Sequence, residues 1–138
     1  MQNEDFRILL IEDNPGDARL ILEMFKEDEQ KVFDVVVAEC LQSGLTYLNK
    51  SSFDVIVLDP GLPDSKGLST VIKTVAAAPL TPVVLLTGFN DQKNGLEAVR
   101  LGAQDYLVKG QIDNNILQRV LRYAIERKKQ KRQCEGPN

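Results

Sequence analysis

VIVLDPGLPD (55–64) is the stretch from which the fold can be read. Four apolar residues, Val55 to Leu58, run straight into the carboxylate of Asp59, and Pro60, Gly61 and Pro63 follow at once. With Phe53 and Asp54 in front, the segment 53–59 reads as a short strand that is apolar throughout its middle, the mark of burial on both sides. The prolines and the glycine deny the chain a regular continuation. A buried strand is thus driven up to an acid and stopped there.

The same plan recurs on either side. FRILLIE (6–12), VFDVVVAE (32–39), PVVLLTG (82–88) and DYLVK (105–109) read as four further strands. Helical spacing fills the gaps between them. Asn14-Pro15-Gly16-Asp17 reads as a helix start, with Asn14 able to cap, Pro15 at the first helical position and Asp17 in the favourable first turn. Ile21, Met24 and Phe25 then share a face. Leu41, Leu45 and Leu48 form a second stripe, and Leu68, Val71, Ile72 and Val75 a third, which Pro79 ends. Leu96 and Val99, with Ala98, are expected to face inward from a fourth helix that Gly102 closes. From about Asp113 a long helix presents Leu117, Val120, Leu121 and Ala124, and Gly136-Pro137 closes its tail. Strand and helix alternate five times, which predicts an α/β domain: a five-stranded parallel sheet, doubly wound, with helices on both faces.

Bulk properties narrow the function. The chain has 138 residues, 43% of them apolar and 27% charged, as expected of one globular domain. There is no histidine, and the two cysteines, Cys40 and Cys134, lack C-x-x-C spacing. A Cys/His zinc site and any His-based triad are therefore excluded. With only these two cysteines, a reducing, cytoplasmic setting is expected. No run approaches the roughly 18 apolar residues of a membrane span, and the polar N-terminus does not read as a secretory signal. ERKKQKRQ (126–133) carries +4 against -3 for the whole chain, which leaves -7 on the rest. The body is acidic and the tail basic. Cations suit a helix C-terminus. The same run also fits a helix continuing into a linker of a larger sensor or regulator. Phosphate-backbone binding is the third reading, and the acidic body and scarcity of aromatics make a nucleic-acid partner unlikely.

In open parallel sheets, ligands bind beyond the carboxyl ends of the strands. Those ends are Glu12-Asp13, Asp59, Thr87-Gly88 and Lys109-Gly110. Singly, each has a plainer reading: a loop acid, a turn residue, a common strand exit, a surface lysine. Together they place three carboxylates, a hydroxyl and an ammonium on one edge. Two unit charges about 4 Å apart repel by roughly 4 kcal/mol at an effective dielectric near 20. One lysine does not offset three acids, whereas a hard divalent cation, Mg²⁺ or Mn²⁺, does. Metal, lysine and hydroxyl together suit a phosphoryl group, and the central Asp59 is its expected acceptor. Pro60, Gly61 and Pro63 then keep the loop irregular and let a main-chain carbonyl reach the metal.

LLIEDNPGDARLI (9–21), VIVLDPGLPDSKGL (55–68), VVLLTG (83–88) and GAQDYLVKG (102–110) resemble the receiver domain of two-component response regulators. The likeness covers about residues 5–126 and implies a receiver domain over 1–126, with 127–138 as a basic helix extension and tail. It implies a flavodoxin/CheY-like strand order, 2-1-3-4-5. By position, it gives Asp13 to the metal directly, Glu12 through water, and the Gly61 carbonyl as a further ligand. Asp59 would be the phosphoacceptor, and Thr87 and Lys109 would bind phosphoryl oxygens. Tyr106 matches the switch aromatic, which turns inward as the threonine moves, changing the surface of the fourth helix, fifth strand and fifth helix. Arg100, Asp105 and Arg119 fall on a surface where some members of the family pair as dimers. The resemblance also implies a histidine kinase or phosphotransfer protein as donor and a downstream protein as reader.

Three departures from the family pattern stand out: Gly110 where proline usually follows the lysine, Pro60 after the acceptor, and Gly61 with Phe89 at positions that influence phosphoryl lifetime. The chain lacks the G-x-x-x-x-G-K-[ST] loop, so direct use of ATP is not expected. An aspartyl phosphatase would need an acid two residues after its nucleophile, where Gly61 stands, so the chain reads as a stoichiometric acceptor and not as an enzyme. The alternative is a degenerate receiver that works as a phosphorylation-independent docking module.

Overall fold

A computed structural model describes residues 4–26, 31–88 and 92–134. The elements are β1 (Glu4–Ile11), α1 (Pro15–Lys26), β2 (Lys31–Ala38), α2 (Leu41–Lys50), β3 (Val55–Leu58), β4 (Gly61–Leu62), β5 (Ser65–Lys66), α3 (Leu68–Ala77), β6 (Val83–Thr87), α4 (Gln92–Arg100), β7 (Asp105–Val108) and α5 (Asn114–Cys134). Phe89 and Gly136-Pro137 lie outside the described residues.

Five strands form one parallel sheet in the order β2-β1-β3-β6-β7, which is the expected 2-1-3-4-5 once the two short strands are set aside. β1 and β3 take the centre, where both faces are covered, and their exposed surface is nil from Ile8 to Ile11 and from Val55 to Leu58. Alternate residues feed two cores, because side chains on a strand point to opposite faces. Ile8, Leu10, Val55, Val57, Val84 and Leu86 pack with Ile21 and Phe25 of α1 and Leu117 and Leu121 of α5. Leu9, Ile11, Ile56, Leu58 and Leu85 pack with Leu41 of α2, Val71 of α3 and Ala98 of α4. That is why the strands read as unbroken apolar runs.

Three expectations need correction. Leu96 and Val99 do not face inward; they are 60% and 40% exposed, and Ala98 alone of the three is buried. α4 lies too close to the sheet for large side chains. A Cβ at Gly95 would stand 2.6 Å from the Tyr106 ring, so the glycine and Ala98 form the inner face and the bulky residues turn outward. Ile72 likewise is 50% exposed, since α3 buries Val71 and Thr74 instead. The loop after Asp59 is also less irregular than its prolines suggest. Gly61-Leu62 and Ser65-Lys66 pair as a small antiparallel ladder. A buried hydroxyl pair, Ser65 Oγ and Thr70 Oγ1 at 2.7 Å, ties that ladder to α3.

Register carries this architecture to one edge. Ile11 pairs with Leu58, Leu58 with Leu85, and Thr87 with Val108. The residues just beyond these rungs therefore emerge side by side. Backbone bonds extend the alignment by one residue, from Asp59 N to Ile11 O at 2.9 Å and from Lys109 N to Thr87 O at 2.8 Å.

Candidate functional site

Glu12, Asp13 and Asp59 each offer a carboxylate oxygen within 4.8 Å of the other two. Glu12 is buried, 1% exposed, while Asp13 stands open to solvent and Asp59 is half-buried. The Glu12 Oε2 accepts from the Asn14 amide at 3.2 Å, and Asp59 Oδ1 accepts from the Gly61 amide at 2.8 Å. Glu12 and Asp59 are thus each fixed by the chain that follows, with one oxygen left for other work.

Lys109 lies among those remaining oxygens. Its Nζ donates to Asp59 Oδ2 at 2.6 Å and to Asp17 Oδ2 at 2.9 Å. Glu12 Oε1 is 2.8 Å away, near enough for an ion pair but outside the angles of a hydrogen bond, so this buried oxygen has no hydrogen-bond partner. Burial, with the Asp59 carboxylate beside it, raises the Glu12 pKa from 4.5 to about 7, against the opposing pull of Lys109 and the Asn14 amide. Burial would lower the Lys109 pKa, but the carboxylates of Asp59, Glu12 and Asp17 around its head outweigh that and hold it above the ordinary lysine value.

A buried carboxylate oxygen without a hydrogen-bond partner, inside an all-oxygen cluster, fits a hard divalent cation such as Mg²⁺ or Mn²⁺. Glu12, Asp13 and Asp59 are the side chains that could hold it.

The other expected site residues are placed differently. Thr87 is buried and its hydroxyl donates to the Leu107 carbonyl at 3.2 Å, so it is engaged with β7. The Gly61 amide touches Asp59, as described. Tyr106 is half-buried, its ring lying over Gly95 of α4. Gly110 takes φ +86°, a left-handed turn open to glycine without strain. Arg100 and Arg119 are exposed on α4 and α5, with Arg100 3.9 Å from Glu97 of its own helix. Asp105 Oδ1 accepts from the Tyr106 amide at 2.8 Å. None of these last three joins the carboxylate cluster.

Asp17 is the member that sequence reasoning passed over, having been given only a role in the first turn of α1. The signal was available: Pro15 starts the helix immediately beyond the acid pair, so its first turn must overhang the same sheet edge. Asp64 was missed too. Its carboxylate accepts from Leu41 N at 2.8 Å and Gln42 N at 2.9 Å, tying the loop after Asp59 to the start of α2. Nothing in local spacing links residues 41 and 64.

The family model for the response regulator receiver domain matches residues 8–121. The KDP operon transcriptional regulatory protein KdpE of Escherichia coli is 32% identical over 120 residues, covering 87% of this chain and 51% of that protein. The methanogenesis regulatory protein FilR1 of Methanothrix harundinacea is 36% identical over 109 residues, covering 75% of this chain and 24% of that protein. The chain thus spans about half, or less, of the curated relatives it matches. The crystal structure of a response regulator receiver domain protein from Clostridium thermocellum superimposes with a TM-score of 0.77 at 28% identity, covering 90% of this chain and 97% of that one. No helix among the described residues is long and apolar enough to cross a membrane. Sheet order, the acids aligned at its carboxyl edge and the family match over residues 8–121 agree: the chain belongs to the response regulator receiver domain family.

Proposed function

We propose that this receiver domain is a phosphorylatable signalling switch with Asp59 as its acceptor. The observation that carries the reading is Asp59 Oδ2, 2.6 Å from the Lys109 ammonium and grouped with the Glu12 and Asp13 carboxylates. Asp59 Oδ2 attacks the phosphorus, the new O–P bond forms, and the bond to the donor's leaving atom breaks with its electron pair. Lys109 passes from the attacking oxygen to the phosphoryl oxygens, where negative charge gathers. The Gly61 amide keeps Asp59 Oδ1 occupied and so selects Oδ2 as the nucleophile. A divalent cation on Glu12, Asp13 and Asp59 would supply charge neutralisation for the same group.

The donor is a histidine kinase or phosphotransfer protein, and the chain accepts stoichiometrically rather than turning over as an enzyme. Thr87 leaves the Leu107 carbonyl for the phosphoryl group, and that carbonyl belongs to the residue after Tyr106, so the movement bears on the strand that carries the switch aromatic. The surface of α4, β7 and α5, with Arg100, Asp105 and Arg119, is then read by a downstream protein or by a second copy as a homodimer. A cytoplasmic location goes with this reading. Thr87's engagement with Leu107, together with Gly110, favours as the second reading a docking module that takes no phosphate.

Intact-mass spectrometry after incubation with acetyl phosphate and Mg²⁺ separates the two. One phosphoryl adduct, absent in Asp59→Asn, is the expected result. No adduct on the wild-type chain assigns it to the docking reading.

A further inference from the structure

We propose that Asp17 is a positioning residue for phosphoryl transfer, holding the Lys109 ammonium from α1 so that it can leave the attacking oxygen of Asp59 without leaving the site. The inference rests on the acceptor role given to Asp59.

Apart from Asp17, only the two cluster carboxylates Asp59 and Glu12 hold this lysine's head. Gly110 follows it in an open turn, where even an added Cβ would meet no atom within 4 Å. Beside the lysine is a cavity of about 140 Å³, lined also by Leu20, Ile21, Met24, Leu86 and Ile112, so its stem is not enclosed by packing. Its head makes two hydrogen bonds, to Asp59 and Asp17, since the approach to Glu12 lacks the direction for a third. Without Asp17 the ammonium would be held only by Asp59 Oδ2, the oxygen that must attack, and by the ion pair with Glu12, itself a carboxylate of the metal cluster. Asp17 offers a second acceptor at 2.9 Å. It is itself placed by the start of α1, where its amide donates to Asn14 Oδ1 at 3.0 Å. Its carboxylate is thereby free of capping duty and available to the lysine.

The test compares Asp17→Ala, which removes the acceptor, with Asp17→Asn, which keeps an oxygen there. Phosphorylation of the full chain by acetyl phosphate with Mg²⁺ is followed by intact mass across donor concentrations. Asp17→Ala is expected to lower the limiting rate about tenfold with half-saturation within twofold, and Asp17→Asn to recover most of that rate, with the same thermal midpoint in all three proteins. A limiting rate for Asp17→Ala within twofold of wild type, or Asp17→Asn as slow as Asp17→Ala, overturns the assignment. The ¹⁵N signal of the Lys109 side-chain nitrogen gives a readout without phosphorylation. It should be sharp and slow to exchange in wild type and Asp17→Asn and lost in Asp17→Ala; an identical signal in all three overturns the anchor even if the wild-type chain takes no phosphate.

Discussion

Glu12→Gln is expected to stabilise the metal-free protein at pH 8 and to flatten its pH profile. Burial raises the Glu12 carboxyl from 4.5 to about 7, with Asp59 adding to the shift. Between those values the folded state holds a proton that the unfolded chain has lost. The stabilisation is complete below pH 4.5 and is lost as pH rises through about 7. At about 1.4 kcal/mol per pKa unit, the whole loss is about 3 kcal/mol, of which about 2 kcal/mol falls between pH 5.5 and 8. The chain has no histidine, ordinary carboxylates have finished titrating, and the raised Lys109 contributes a constant amount well below its ordinary value. Urea unfolding at pH 5.5 and 8, in the presence of a chelator, measures the slope. Wild type should lose about 2 kcal/mol across the window and Glu12→Gln little. Millimolar Mg²⁺ should flatten the wild-type profile too, because a cation takes the place of the proton. An equal slope in both proteins, or a Glu12→Gln protein less stable than wild type at pH 8, would refute the account of a charge that burial disfavours.

Gly95→Ala would drive a methyl group to 2.6 Å from the Tyr106 ring, so the ring or α4 must move. A loss of about 1–3 kcal/mol and displaced ring resonances for Tyr106 are expected, and unchanged values for both would contradict the close packing. Leu10→Ala empties a fully buried position between β1 and the α1–α5 layer, and should lower the denaturant midpoint by the equivalent of about 2–5 kcal/mol with the slope unchanged. Asp64→Ala removes the acceptor for Leu41 N and Gln42 N, whose bonds lower the Asp64 pKa. The stabilisation from a lowered carboxyl is present above its unfolded value of 3.8 and fades as pH falls through the lower folded one. The thermal midpoint should therefore drop at pH 7 and converge with wild type in strong acid, and a constant offset would argue against the charge as its source.

The sheet, its parallel sense and the acids at its edge were legible from residues 55–64 and their neighbours. A strand covered on both faces has no polar side, so Val55–Leu58 and Ile8–Ile11 show their burial in composition alone. Acids where such strands end must lie at the sheet's carboxyl edge, and Glu12, Asp13 and Asp59 do gather there. Helix faces were harder. Leu96 and Val99 have the spacing of a core stripe, yet α4 turns Gly95 and Ala98 inward. Spacing reports an apolar arc, while the distance between helix and sheet selects which part of it fits beneath.

The sequence by itself thus determined which residues form strands and which functional groups stand at their ends, because both follow from local patterns of burial and chain termination. Tertiary structure decided who touches whom. Lys109 reaches Asp17 across 92 positions of sequence, Asp64 caps a helix 22 and 23 residues before it, and Thr87 bonds the Leu107 carbonyl 20 residues further on. Hydrogen bonds depend on ångström distances and on direction, and these are set only when register and helix placement bring distant segments of the chain together.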